Sequence, residues 1–199
     1  FASTAADVKA DIVDIAAKLN TLAATISWTA FEGSGTFVRL AADAKADIVN
    51  VSAQLNNLAA NVFALFLPGG ALSKVLAIHA DIVPLITASN KGAADAVNVS
   101  PRPLSIVDGR AILDSVQALE PNIYQTLDSI VARRNIFSAL PVPGMGPALI
   151  KQDLVNWNTA TQALGAALIG SVPAGLLGDA TAFTTRAAAN FGAAIAAFP

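Results

Sequence analysis

The sequence contains no cysteine and only one histidine, His79. The lack of cysteine excludes disulfide bonds, thiolate chemistry and cysteine-based metal sites together. A single histidine excludes a metal centre built from several histidines, and no spacing of Ser, Thr and Asp assembles a nucleophile, a base and an orienting group. We therefore expect a protein that is not an enzyme, that uses no cofactor or metal, and whose stability comes from packing.

Charged residues are also scarce, at 13% of the 199 residues. The 12 Lys and Arg residues are scattered along a chain of formal net charge -2, so no basic stripe is present to neutralise phosphates. This composition predicts that nucleic acid is not a partner. The chain begins at Phe1 with no charged and apolar leader, as expected of a mature chain after signal-peptide removal or of a trimmed one, and the start does not separate the two.

Two long uncharged runs raise the question of a membrane-spanning helix, because the mean hydropathy is +0.58. The run from Leu154 to Gly178 contains several Asn, Thr and Gln side chains, and Pro173 interrupts it. The run between Ser52 and Lys74 is also rich in Asn and is broken by Pro-Gly-Gly at 68–70. We therefore expect no transmembrane segment.

An internal repeat is the first organising feature, since residues 5–26 recur as residues 41–62 with about 14 of the 22 aligned positions identical. Apolar residues step by three and four in each copy, which predicts two amphipathic helices joined by a loop around Gly33 to Gly35. The predicted inward rows are Val8, Ile12, Ile15, Leu19, Leu22 and Ile26 in the first copy, and Leu40, Ala44, Ile48, Val51, Leu55, Leu58, Val62 and Leu65 in the second.

Five further helices are predicted, over residues 71–88, 105–119, 120 onward, 147 onward and 176–198. A polar loop is predicted at 89–103. The helix at 105–119 and the helix that begins at 120 are predicted to form a tight hairpin. No stretch alternates with the period of two that a strand requires, so the chain is predicted to be all-α, a six- to seven-helix bundle in one domain. Residues 1–36 would form an extra helix and loop packed on a bundle of residues 37–199. The predicted inward rows are Leu72, Val75, His79, Ile82 and Ile86; Ile123, Leu127, Ile130 and Phe137; Ile150, Leu154, Trp157, Thr161, Leu164 and Leu168; and Phe183, Ala187, Phe191, Ile195 and Phe198.

Several consecutive blocks between Leu40 and Phe198 resemble the fungal hydrophobic surface-binding protein A family, which also includes cell-wall galactomannoproteins. The blocks are Ala118-Leu-Glu-Pro121 with Ile123, Leu127-Asp-Ser-Ile-Val-Ala-Arg-Arg134 with Phe137, Thr159-Ala-Thr-Gln-Ala-Leu164 through Ile169 with Val172-Pro173, and Phe191-Gly-Ala-Ala-Ile-Ala-Ala-Phe198. The duplicated helix at 5–26 departs from the family's usual single unit.

The resemblance implies a secreted helical bundle, extracellular or in the cell wall, that adsorbs to hydrophobic surfaces or holds a fatty acid between its helices. Family members are proposed to recruit polyester-degrading enzymes to such surfaces. The family has no well-defined catalytic residues, so none is carried over to this chain.

Two polar side chains are candidate ligand contacts. His79 lies on the predicted inward row and is either a polar anchor at the mouth of an apolar cavity or a satisfied, partly exposed helix residue. Tyr124, the only tyrosine, either presents its hydroxyl to a ligand headgroup or packs at one end of the bundle.

The remaining candidates are aromatic. Phe63 and Phe66 belong to an apolar cluster whose members cannot all face one neighbour, so part of it must meet another helix, a ligand or an interface. Trp157 is predicted to be a core residue with surface contact as the alternative, and Trp28, in a segment with Phe31 and Phe37, is a candidate for surface contact.

Other polar residues allow weaker expectations. Asn50 and Asn98 stand in Asn-Val-Ser sequons that permit glycosylation, although Pro101 follows the second closely. The arginines at 110, 133 and 134 are possible carboxylate clamps, but such residues are usually solvated.

Two functions follow from these observations. The first is an apolar-ligand carrier that holds a fatty acid or similar lipid in a cavity between helices, where each buried methylene contributes about 0.8 kcal/mol. The alternative is a surface adsorbent with a filled core that coats hydrophobic surfaces and recruits a secreted hydrolase.

Overall fold

The computed structural model describes residues 37–65, 71–99, 102–140 and 144–199. These ranges contain seven α-helices and no strand, which confirms the all-α prediction. The helices are α1 (Phe37–Ala64), α2 (Ala71–Val97), α3 (Ile106–Gln117), α4 (Glu120–Ala132), α5 (Arg134–Ser138), α6 (Met145–Ser171) and α7 (Leu177–Ala196), with a 3-10 turn at Ala174–Leu176 before α7.

The helix α1 forms where the second copy of the repeat predicts it. Its apolar residues recur every three or four positions, so they share one face, and that face is buried from Ala44 to Leu65. It packs mainly against α2, and also against α3 and α4. The first copy of the repeat, Trp28, Phe31 and Phe66 lie outside the described residues.

The helix α2 is longer than predicted, because it continues through the expected loop to Val97. Ser89 donates a hydrogen bond from Oγ to the Leu85 carbonyl oxygen at 2.9 Å, so this polar residue is satisfied inside the helix. Gly92 and Ala96 are buried, and their small size lets α2 lie close to its neighbours. The composition of 89–97 suggested a loop, but tertiary packing holds it as a helix.

The buried face of α2 also differs from the predicted row. Leu72 is exposed, whereas Ile78 and Leu85, which lie beside the predicted row, are fully buried. Pro84 lies within the helix without ending it. The predicted row therefore lies at the edge of the buried face. Part of the apolar surface of α2 is exposed to solvent as a result.

The helices α3 and α4 begin as their sequences indicate. Ser105 caps α3 by accepting a hydrogen bond from the Asp108 backbone N–H at 3.0 Å, and Pro121 lies in the first turn of α4. Residues 118 and 119 join the two helices. The predicted tight hairpin is wrong, because α3 packs on α1 and on the 3-10 turn while α4 packs on α1 and α7.

The helix α6 is the central helix of the second half and packs against both α2 and α7. It begins at Met145, earlier than the predicted start at Pro147, since a proline is tolerated in a first turn whose N–H groups have no helical partner. Gly144 precedes it with a φ of 77°, a left-handed conformation that favours glycine. All six residues of its predicted inward row are buried.

Aromatic side chains fill the interior between α6 and α7. Trp157 is 1% exposed and meets the edge of Phe191 at a centroid distance of 4.9 Å and an interplanar angle of 87°. The helices α6 and α7 also lie close together at Gly165, since a Cβ atom added to this residue would lie 2.5 Å from Thr184 Oγ1. The predicted placement of Trp157 in the core agrees with this arrangement.

Among the described helices, α2 alone has the length and composition of a membrane-spanning segment, and 33% of its apolar window is buried in the bundle. Its inner face packs against α1 and α6. Its outer face exposes Leu72, Leu76 and Val83, which are 37%, 47% and 51% accessible.

The Trp157–Phe191 contact yields a stability prediction. We expect Phe191→Ala to lower the free energy of unfolding by about 3–5 kcal/mol, because it removes a fully buried ring and leaves a cavity. Urea denaturation measures this change. The control Val155→Ala, on the exposed side of α6, should change stability by about 0.5 kcal/mol or less, and an equal loss in both variants would contradict the assignment of this core.

Candidate functional site

A small cavity of about 10 Å³ lies where α1, α2, α3 and α6 meet. Its lining is apolar except for one carboxylate, that of Asp47. A volume of this size is near the lower limit for one water molecule, and it is far below the roughly 150 Å³ of an engineered cavity that binds benzene. The lining residues are Ala44, Asp47, Ile48, Val51, Gly92, Ala96, Ile112, Leu164 and Leu168.

Asp47 connects this cavity to the protein surface. Its side chain is buried, and Oδ1 accepts a hydrogen bond from Lys91 Nζ at 2.6 Å. Lys91 also donates to Asp95 Oδ2 at 2.7 Å, one turn further along α2. Burial raises the pKa of Asp47 despite the Lys91 hydrogen bond, whereas Lys91 lowers the pKa of the more exposed Asp95.

His79 contacts a residue that sequence reasoning missed. Its Nδ1 lies 2.9 Å and 3.0 Å from the two carboxylate oxygens of Asp153 on α6. The His79 side chain is 41% accessible, whereas that of Asp153 is 5% accessible. The contact joins α2 to α6 and matches the expectation of a satisfied, partly exposed histidine.

The position of Asp153 carried a signal in the sequence. It lies three residues after Ile150 and four before Trp157, so it shares their buried helix face. A lone carboxylate on an apolar row requires a polar partner in the folded chain. The sequence showed this requirement but could not identify His79 as the partner.

Tyr124 lies in a separate polar cluster between α4 and α7. Its hydroxyl donates to Glu120 Oε1 at 3.1 Å, and Arg186 Nη2 donates to both oxygens of Glu120 at 2.9 Å. Burial raises the pKa of Tyr124 to about 12, and the Glu120 charge contributes. The hydroxyl is therefore protonated at neutral pH and has a partner within the protein.

The structure does not bring the candidate ligand contacts to one place. None of His79, Tyr124, Phe63 and Trp157 lines the cavity at Asp47. Phe63 is half-buried near the end of α1. Cavity residues such as Gly92 escaped the sequence analysis because they fall in the segment that it assigned to a loop.

The other polar candidates are two asparagines in sequons and two arginines. Asn50 and Asn98 are exposed, so both amides are accessible, and their glycosylation stays a prediction. Arg110 donates to Asp179 on α7 at 2.6 Å, which makes it an ion-pair partner between helices. Arg133 was expected to be solvated but is buried, and burial lowers its pKa.

Comparison with known proteins identifies similar chains. The family model described as "Hydrophobic surface binding protein A" matches residues 41–170. The crystal structure of AfMP4p in complex with palmitic acid is 25% identical, with a TM-score of 0.72 over 80% of this chain and 99% of that chain. Ligand binding domain 1 of the Penicillium marneffei MP1 protein, complexed with arachidonic acids, is 19% identical, with a TM-score of 0.68 over 78% and 95% of the two chains. No curated protein matches this chain.

The raised pKa of Asp153 makes the protein less stable as pH rises. Burial raises its pKa above the ordinary 3.8 although His79 opposes the shift, so the folded chain holds this proton more tightly than the unfolded chain does. The free energy of unfolding therefore falls as pH rises from 3.8 through the raised pKa. We expect Asp153→Asn, which lacks this proton, to gain stability relative to the wild type over that interval.

Urea denaturation at a series of pH values from about 3 to about 6 measures this difference. The control is Asp114→Asn, the same change at an exposed position of α3, and it should not gain stability relative to the wild type as pH rises. A stability difference between Asp153→Asn and the wild type that stays constant with pH would contradict the assignment.

Proposed function

Because the chain belongs to the hydrophobic surface binding protein A family, we propose that it binds a fatty acid or a similar apolar ligand between its helices. The observation that carries this proposal is the similarity to AfMP4p over 99% of that chain, since AfMP4p was crystallised with palmitic acid. The family match covers residues 41–170, which include most of α1, all of α2 to α5 and almost all of α6.

The described bundle supports this proposal through the apolar faces that meet at the cavity. Eight of its nine lining residues are apolar or glycine, and they come from four different helices. A long acyl chain gains about 0.8 kcal/mol for each methylene that it buries, so a bundle interior of this composition favours it. A cavity of about 10 Å³ does not hold such a chain, so α1, α2, α3 and α6 must separate at this point to admit it.

The small residues of α2 are the natural place for that separation. Gly92 and Ala96 present little surface to α1 and α6, so the contact there depends on few apolar atoms. Moving the helices apart at this level therefore breaks fewer apolar contacts than at Ile78 or Leu85, which are fully buried. The ligand would replace the contacts that the helices give up.

A substitution that fills the cavity tests this function. We expect Ala96→Leu to weaken binding of palmitic acid at least about tenfold, because its side chain occupies the space where the helices must part. Native mass spectrometry of the delipidated protein, titrated with palmitic acid, measures the bound fraction. The matched control is Ala94→Leu, which makes the same change at an exposed position of α2.

Binding in the control and its loss in Ala96→Leu would support an interior site. Equal binding by both variants would place the lipid elsewhere, and a wild-type protein that takes up no palmitic acid would refute the carrier function.

A second function has support from the outer face of α2. Leu72, Leu76 and Val83 are spaced by four and seven residues, so they form one exposed apolar strip. Such a strip favours adsorption to a hydrophobic surface. We also infer from the family that the protein is secreted and that it recruits a hydrolase to such surfaces.

The strip can be tested separately from the interior. We expect replacement of Leu72, Leu76 and Val83 by serine to reduce adsorption to polystyrene, measured with a quartz crystal microbalance, without changing palmitic acid binding. The control Val107→Ser alters a 74% accessible residue of α3. Equal adsorption of the triple variant, the control and the wild type would show that the strip is not the adsorbing surface.

A further inference from the structure

Asp47 is an unusual residue in the apolar face of α1. It is 5% exposed, and it lies between Ala44 and Ile48, which also line the cavity. Its Oδ1 is bound by Lys91, but its Oδ2 is buried without a hydrogen-bond partner. Asp47 is the one carboxylate in the described part of the chain with such an oxygen, and buried oxygens normally have a partner.

Gly92 lies beside the Asp47 side chain and lines the same cavity. A Cβ atom added to Gly92 would lie 3.6 Å from both Asp47 Cβ and Leu164 Cδ1, which are ordinary van der Waals distances. Alanine would therefore fit, and it has a higher helix propensity than glycine. Close packing of the helices thus tolerates a methyl group here, and that methyl group would occupy space beside the carboxylate.

The charges around Asp47 determine what this space can receive. Lys91 holds both Asp47 and Asp95, so two carboxylates face one ammonium group and the cluster carries one net negative charge when both are ionised. The rest of the cavity lining is uncharged, so Lys91 and Asp95 are the titratable groups beside Asp47. A second carboxylate arriving from a ligand would be repelled unless a proton came with it.

The geometry points to Asp47 as the contact for the carboxyl group of the bound fatty acid: we propose that the ligand carboxyl and Asp47 Oδ2 share one proton in a single hydrogen bond. This inference rests on the proposed function and names the polar end of its site. The proton comes from solvent when the ligand binds. Burial and the neighbouring Asp95 raise the pKa of Asp47, whereas Lys91 and Asp47 lower that of Asp95, so the buried carboxyl is the one that favours a proton.

The other polar clusters in the described ranges have their partners within the cluster. His79 and Asp153 contact each other, and the Tyr124 hydroxyl, Glu120 and Arg186 form a closed set. None of them lines the apolar cavity. Among the residues that line the cavity, Asp47 is the one with a buried oxygen that has no hydrogen-bond partner.

Proton uptake is the readout that distinguishes this role from a structural one. Isothermal titration calorimetry with dodecanoic acid at about pH 7, repeated in buffers of different ionisation enthalpy, gives the number of protons taken up on binding. We expect about one proton for the wild type, and its affinity should fall about tenfold per pH unit where both carboxyl groups ionise.

The variant Asp47→Asn should remove both effects. Lys91 can only donate hydrogen bonds, so it holds the amide oxygen and leaves the amide N–H₂ where Oδ2 was. That group donates to a ligand carboxylate without an added proton. We expect proton uptake near zero and an affinity that changes little with pH, while Asp114→Asn behaves as the wild type.

The outcomes separate the two proposals. A wild type that does not bind dodecanoic acid would refute the proposed function itself. Binding with the same proton uptake and pH profile in the wild type and Asp47→Asn would overturn the role of Asp47 and leave the function intact.

If Asp47→Asn does not fold, Gly92→Ala provides the test, because its contacts are compatible with the fold. We expect at least tenfold weaker binding of dodecanoic acid by this variant. Unchanged affinity would overturn the proposal.

Discussion

The packing of α2 between α1 and α6 is the constraint on which the rest of the bundle depends. Its buried face contains Ile78, Ile82 and Leu85, which are fully inaccessible. Polar contacts also fix its position, among them those from Lys91 to Asp47 on α1 and from His79 to Asp153 on α6. Because each contact includes a buried carboxylate, a shift of α2 along either neighbour would leave a charge in an apolar environment.

This constraint also explains how a filled bundle can serve as a binding protein. Large aromatic and aliphatic side chains hold α6 to α7, as the Trp157–Phe191 contact shows. At the level of Gly92 and Ala96, by contrast, α2 offers few atoms to its neighbours and leaves the small cavity. The acyl chain of the proposed ligand would enter at this level, where the side chains of α2 are smallest.

The sequence predicted helices and their faces well where apolar spacing was regular. The row of α6 from Ile150 to Leu168 is buried as predicted, because spacing by three and four residues determines a face without reference to partners. Residues 89–97 were assigned to a loop because the segment 89–103 is rich in Asn, Gly and Asp, which have low helix propensity, although tertiary contacts override that propensity.

The site was harder to predict than the fold for a physical reason. His79 and Asp153 are 74 positions apart, and Asp47 and Lys91 are 44 apart, so their pairing depends on how three helices are arranged. Spacing along one helix shows that Asp153 shares a face with Trp157, but not which residue lies opposite. A cavity that four helices enclose exists only once all four are in place.

The most direct test of the central claim is a crystal structure of the protein grown with palmitic acid. The account predicts an acyl chain between α1, α2 and α6, with these helices moved apart at Gly92 and the ligand carboxyl next to Asp47. An acyl chain on the outer face of α2, with the interior packed as in the present structure, would contradict an interior binding site.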